Sequence, residues 1–413
     1  MTDPVPRVSL IFLISLVAVT AMGPMAMQLM VPSLPAIGAD FDVPLAVTQL
    51  NISISMAVIA VSSLLYGPLS DRFGRRPVML WGIVLFVVGT AAAAVAPTIE
   101  ILIVSRVIQA MGGGAGMVIT RAMVRDLYGP DRSASMIATL SVAIIAAPMI
   151  SVVLGAYITD FFGWRYIFYF ALLVSVTVLV VGIGTLHETR AGQRSADSPV
   201  RDMVRGYRIL MRSPIFAGYA LQSAFGTGTF FSFMGAAPYI MVNLLDRPVR
   251  EFGVLFALVT IVFMASNFAG GRFATRFGTA RMVLFGAAWS VVATLGGLLW
   301  FAFDGLSVAG LFVTSAVASI GSGLAMPSSQ AGAMNVMPEY AGTASGGAAF
   351  SQTMMGAVFA QIAGSLVTTS AAPLFVTMLA ATFIAFVFAA LPTIYAGHQA
   401  GGARGPVPAA GED

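Results

Sequence analysis

Apolar and polar positions fall in long blocks along this chain. Twelve apolar stretches of 20 to 32 residues, separated by short polar pieces, occupy 9–31, 46–70, 77–96, 99–124, 132–159, 165–186, 214–243, 250–273, 280–302, 305–336, 340–368 and 372–396. Bilayer hydrocarbon, about 30 Å thick, takes about 20 apolar residues per helix. Backbone groups in lipid must be satisfied within their own segment, so the blocks predict twelve transmembrane helices and an all-α fold. The first stretch is too long for a signal peptide. Pro24 and Gln28 within it suit an internal, uncleaved helix.

Composition supports this class. Of 413 residues, 58% are hydrophobic and 9% charged, with a mean hydropathy of +0.91. A soluble domain is about 45–50% apolar and about 25% charged. With no cysteine, disulfides, thiolate metal sites and thiol catalysis are excluded. All 21 basic residues are arginine, and they sit mostly in loops between segments, so the basic balance does not indicate nucleic acid.

Arginine placement sets the topology. With the N-terminus inside, sixteen arginines fall on inside pieces, against three outside: Arg165, Arg247 and Arg250. The positive-inside bias puts both termini in the cytoplasm. The longest polar stretch, 187–213, carries six arginines and reads as a cytoplasmic linker, in part an amphipathic helix at the headgroups. It divides the chain into a six-helix half at 1–186 and another at 214–397, with a flexible tail at 398–413.

The halves resemble each other. "GPLSDRFGRRPVML" at 67–80 aligns with "GRFATRFGTARMVL" at 271–284, an offset of 204, and "GGGAGM" at 112–117 echoes "GSGLAM" at 321–326. Parallel six-helix repeats place a solute site between the halves near the membrane midplane.

These residues carry a family resemblance. Twelve segments, a basic central loop, and Gly67, Leu69, Asp71, Arg72, Gly74, Arg75 and Arg76 spaced as G-x-L-x-D-R-x-G-R-R resemble the major facilitator superfamily. "LMVPSLPAIGADF" at 29–41, "RVIQAMGGGAG" at 106–116 with "RAMVRDLY" at 121–128, and "FGWRYIF" at 162–168 are similar to the bicyclomycin/chloramphenicol-type drug efflux subfamily. "APMISVVLG" at 147–155 resembles the antiporter motif, keeping Pro148 and Gly155, with Ala147 where the motif has glycine. Gln28 stands where that subfamily has an aspartate in the first helix. The resemblance implies two pseudo-symmetric halves, alternating access and drug–proton antiport, driven by a proton gradient with no cofactor, in the bacterial inner membrane.

Several residues are candidates for the chemistry. Asp71, Arg72, Arg75 and Arg76, with Gly67 and Gly74 permitting close approach and a turn, are expected to latch the halves in the outward-facing state; they also suit plain topology anchoring. Arg106 is the one ionisable side chain well inside a segment. It costs about 2.5–3.5 kcal/mol on insertion scales, so a role in solute recognition stands beside a purely structural one. Arg106, Gln109 and Gly113 share a helical face that should look into the bundle. No acid sits mid-membrane, which disfavours cations as main solutes and leaves Asp126, near Arg121, as the proton-coupling candidate. Gln28, Asn51, Gln222, Asn267, Gln330, Gln352 and Gln361 either line a cavity or bridge helices. With Met27, the residues Gln28, Asn51, Arg106 and Gln109 form the expected substrate cavity.

The sequence thus points to a monomeric secondary exporter of small hydrophobic drugs, neutral or anionic, in contact with drug, protons and lipid. The rivals are an uptake or exchange carrier for a neutral or anionic metabolite and a membrane enzyme of lipid or quinone chemistry. The missing cysteine and buried acid, and histidine only at 187 and 398, oppose the enzyme. No phosphate-binding loop supports ATP as the energy source.

Overall fold

A computed structural model describes residues 10–189 and 199–402; side chains at 10, 128–146, 148, 199–204, 338, 341 and 396–402 are outside that description. Among the described residues the chain is helical with no strand. The helices are α1 (Leu10–Met30), α2 (Leu34–Asp40), α3 (Leu45–Phe73), α4 (Arg75–Ala94), α5 (Ile99–Phe162), α6 (Arg165–Thr185), α7 (Pro199–Leu210), α8 (Pro214–Tyr239), α9 (Val249–Phe277), α10 (Thr279–Asp304), α11 (Val308–Asn335), α12 (Ala341–Leu366) and α13 (Ala372–Gly402).

All twelve expected segments are helical. The fourth and fifth form one hydrogen-bonded run, α5. At 1.5 Å per residue its 64 residues exceed the hydrocarbon thickness about threefold, so α5 must cross twice. Its two ends return to one side: Arg165, just after α5, reaches the Ala96 carbonyl just before it. Among the described residues, nine helices are long and apolar enough to span a membrane. The remaining segments are the second arm of α5, which continues to Phe162, and α8 and α12. The latter two are rich in Gly, Ser and Thr and face protein, and close helix packing in a membrane uses such small residues where lipid contact would use Leu and Val.

Local chemistry is repeated between the halves. Thr98 caps α5, accepting from the Ile101 N–H, and Ser307, 209 residues on, caps α11 by accepting from the Gly310 N–H at 3.1 Å. Gly74 ends α3 with φ of 101°, and Gly278, 204 residues on, ends α9 with φ of 87°. Both positions are left-handed, where glycine is strongly favoured. Gly112 lies against the Gly82 and Phe86 backbone, and Gly321 against the Gly286 and Ser290 backbone. Gly114 faces Ser62, and Gly323 faces Ser266. The repeat visible in one loop thus extends through the helix packing.

Three apolar cores organise the bundle. One joins both halves at the Arg-poor end, bringing Met30, Leu34 and Val152 together with Phe233, Phe252 and Phe375. A second lies within the first half, around Phe12, Phe86 and Ile119. A third lies within the second half, around Phe216, Val283 and Ala389. Polar contacts across the seam also sit toward the Arg-poor end. The Gln361 amide receives the Ser53 hydroxyl at 2.6 Å and donates to the Ala46 carbonyl at 2.9 Å, and Arg250 pairs with Asp160 at 2.7 Å. The halves are welded at one end and carry separate cores at the other. The linker helix α7 lies against the second half, with Tyr207 over Gly346 and Gly347 and Gly206 beside Thr343. Gly342, by contrast, has open space around it.

Candidate functional site

Arg106 sits on α5, 2% exposed, and is the one charged side chain that is buried among the described residues. Its Nη1 donates to the Gln109 Oε1 and, at 3.5 Å, to the Ala26 carbonyl of α1. Gln109 Nε2 donates in turn to Thr90 Oγ1 of α4 at 2.7 Å, and Thr90 donates to the Phe86 carbonyl at 2.6 Å. Arg106 Nε has no protein partner. The guanidinium is therefore held by neutral oxygens of α1 and of its own helix, with α4 joined through Gln109. Such a charge is costly, and its neighbours only partly replace water.

The Arg106 face turns into the first bundle, as the helical spacing required: Gly113 packs on Gly23 of α1. Around it lies a cavity of about 10 Å³ whose lining, including Met27, Ser55 and Phe86, comes from the first half alone. That is room for about one water. Met27, Arg106 and Gln109 thus converge. Gln28 and Asn51 are buried near the same level but do not line this cavity; each keeps one side-chain oxygen without a protein partner.

The loop cluster draws on the first half and the first residues of the linker. Arg75 reaches Asp71 at 2.7 Å, Asp126 at 3.0 Å and the Ser70 hydroxyl at 2.7 Å. Glu188 accepts the backbone N–H groups of Arg75 and Arg76 at the start of α4, satisfying two orphan donors of the helix end. Arg76 caps carbonyls 183 and 186 at the end of α6. Arg72 lies over Phe73, and Arg121 is exposed on α5. A Cβ at Gly74 would strike Glu188, whereas Gly67 meets nothing within 4 Å in this conformation. Of the antiporter motif, Gly155 packs on the Leu29 carbonyl of α1, while the Pro148 side chain lies outside the described residues.

Sequence reasoning missed a larger pocket. It lies in the second half, about 210 Å³, among α8, α9, α11 and α13. Its wall is aromatic and hydroxylic: Phe230 and Phe263 have ring centroids 6.3 Å apart, and Thr229, Ser319 and Ser322 line it. Gln222, flagged from sequence as a polar membrane residue, lines it too, its Oε1 taken by the Ser329 hydroxyl. No charged residue lines this pocket.

The repeat superimposes the two cavities. At the offset of 204, Ser55 and Ile59 correspond to Val259 and Phe263; at 209, Arg106, Gln109 and Ala110 correspond to Ser315, Ala318 and Ser319. All ten residues line their respective cavities. This correspondence was the signal available in the sequence.

The sequence also matches the model of the Major Facilitator Superfamily over residues 16–360. The chain belongs to the major facilitator superfamily. Among its relatives, Multidrug resistance protein D of Escherichia coli (strain K12) is 30% identical over 338 residues, 80% of this chain and 83% of the relative. The Bicyclomycin resistance protein homolog of Haemophilus influenzae is 26% identical over 375 residues, 89% of this chain and 92% of the relative. A bacterial homolog of the human lysosomal transporter Spinster, solved inward-facing and unoccupied, shares the superfamily fold at a TM-score of 0.74 and 14% identity, covering 93% of this chain and 96% of that one.

Proposed function

We propose that this major facilitator protein is a drug exporter of the inner membrane, working by proton antiport and alternating access. The carrying observation is the arrangement of cores: one shared across the halves at the Arg-poor end, and two separate ones at the Arg-rich end. Two rigid bodies hinged at one end can rock about a central site, as parallel six-helix repeats do. The positive-inside bias puts the Arg-rich end in the cytoplasm, so this conformation opens inward and both termini are cytoplasmic. The relatives bearing resistance names support export of drugs.

Uncharged compounds suit the geometry best. Arg106 is enclosed in the first bundle with room for one water, and no acid is buried among the described residues to attract a cation. For coupling, Asp126 is the acceptor to test. Protonation there removes an anion from Arg75, weakens the cluster that ties α3, α4 and α5 together, and frees Arg75 for contact across the seam. The protein works as a monomer, its exposed apolar faces covered by lipid.

The test is flux in proteoliposomes under an imposed pH gradient with neutral, anionic and quaternary cationic compounds. Gradient-driven movement of the neutral compound, lost in Asp126→Asn, is the expected result. A marked preference for quaternary cations, or flux indifferent to the gradient, would overturn the reading.

A further inference from the structure

A third cavity, of about 500 Å³, is a groove on the flank of the first half. α3 walls it from Ser62 to Phe73 and α4 from Pro77 to Leu85, with Met111 of α5 completing the lining. From Ser62 to Phe73 the helix rises about 16 Å. One leaflet supplies about 15 Å of hydrocarbon, half of the bilayer core. The groove begins beside Gly74 in the Arg-rich loop, so it runs the depth of the leaflet on that side. Its walls are apolar and open outward: Leu65 is 63% exposed, Phe73 59% and Trp81 69%.

The polar groups of the lining are few and mostly occupied. Ser62 donates to the Ile59 carbonyl at 3.2 Å, and the Tyr66 hydroxyl donates to the Met111 carbonyl at 2.9 Å. The Trp81 indole N–H is the one side-chain donor of the lining left unspent among the described residues. A drug pocket holds several placed polar groups that fix orientation, whereas this wall suits a hydrocarbon chain. The mouth has the opposite character. The Arg72 guanidinium carbon stands 5.3 Å from the ring centroid of Phe73, which lines the groove. The nearby carboxylates are taken: Asp71 and Asp126 by Arg75, and Glu188 by the backbone N–H groups of Arg75 and Arg76. Arg72 has no carboxylate partner among the described residues. An uncompensated cation thus stands at the end of an apolar groove one leaflet long. A phosphate carried on an acyl chain matches both, and a headgroup without an ammonium avoids repulsion at Arg72.

We propose that this groove binds one anionic phospholipid of the leaflet at the Arg-rich end. An acyl chain lies between α3 and α4, and the phosphate pairs with Arg72. The site is distinct from the general lipid cover of the convex helix faces, and it does not depend on what the carrier exports. The second half repeats the charge but not the walls. Arg276 stands over Phe277 at 5.6 Å, 204 residues after Arg72 and Phe73. At the same offset Pro77 is matched by Arg281, and Leu85 by Trp289, whose indole is tied to the Val317 carbonyl at 3.0 Å.

The test uses the purified full chain, one copy per phosphatidylcholine nanodisc, with phosphatidylglycerol brominated on its acyl chains as the probe. Bromine quenches indole fluorescence on contact, and subtracting the Trp81→Phe signal isolates Trp81 from the other tryptophans. Quenching should be half-maximal at a mole fraction at least about fivefold lower for brominated phosphatidylglycerol than for brominated phosphatidylcholine. Arg72→Gln should raise that mole fraction about fivefold, and Arg276→Gln should leave it within about twofold. Leu65→Phe combined with Leu69→Phe narrows the groove at exposed positions and should also raise it about fivefold or more. This pair keeps the proposal testable should Arg72→Gln fail to fold, which thermal unfolding reports. Quenching that is alike for the two lipids overturns the site, as does an equal shift in Arg276→Gln. Brominated phosphatidylethanolamine acting as strongly as phosphatidylglycerol overturns the anionic headgroup. Relief of the quenching by chloramphenicol makes the groove a drug site and overturns the lipid.

Discussion

The two halves use one scaffold for opposite purposes at equivalent places. In the first half the site between α3 and α5 is filled by Arg106 and Gln109 and leaves about 10 Å³; in the second, between α9 and α11, Ser315 and Ala318 leave about 210 Å³. The glycine contacts around the two are the same, Gly112 on Gly82 and Gly321 on Gly286. The backbone frame is therefore shared and the side chains alone set the contents. The Arg-rich ends diverge as well. Asp71, Arg75 and Asp126 form an ion cluster in the first half, where the matching residues of the second are Thr275, Thr279 and Asn335. At these matched places the first half holds the charges and the second holds the space.

The sharpest way to break this comparison is Arg106→Met. It should reduce drug flux in proteoliposomes by about 100-fold or more, as expected of a functional intramembrane charge. Thermal unfolding should stay at or above wild type, because an apolar isostere often replaces a buried charge neutrally or with gain. A large fall in stability with residual flux intact would make the arginine a structural member only. Next come the paired substitutions Gly112→Ala and Gly321→Ala. Each drives a methyl into backbone across the helix contact and should cost about 1–3 kcal/mol, read as a similar fall in unfolding temperature for both. Unequal falls would mean that the shared frame is not shared.

Smaller effects separate the charged loop from its neutral counterpart. Arg75→Ala should lower flux by about tenfold, since it removes two carboxylate partners and a hydroxyl contact. Thr279→Ala, at the matching place, should leave flux within about twofold, as for an ordinary surface change. Gradient-driven flux assays on both, run side by side, read the contrast.

Much of the frame was legible in residue order. Apolar block length marks the helices, arginine bias marks the two ends, and "DRFG" against "TRFG" marks the repeat. Arg106 and Gln109 were legible as a pair, since charge and helical spacing single them out, and Met27 was expected in the same cavity. Gln28 and Asn51 were legible as buried but not as to what they touch, because that depends on the rotation of α1 and α3 against their neighbours. The second-half pocket escaped for a different reason. It is made by small residues, Ser315, Ala318 and Ser319, where the other half has large ones, and an emptied position carries no signal until the halves are overlaid. The grouping of Asp71, Arg75 and Asp126 was expected. That their described partners come from the first half and the start of the linker, with none from the second half, follows from the seam being joined at the opposite end.

The welded end contains Gln49, fully buried on α3 against Gly235 and Gly364 of the other half, with neither amide atom bonded to protein. Parting the halves there would return that amide to water and recover a desolvation cost of about 1–3 kcal/mol. This packing across the seam thus comes with a built-in spring. A seal so loaded holds firmly enough to exclude solvent yet can yield to a modest push, which a carrier that must unseal on every cycle requires.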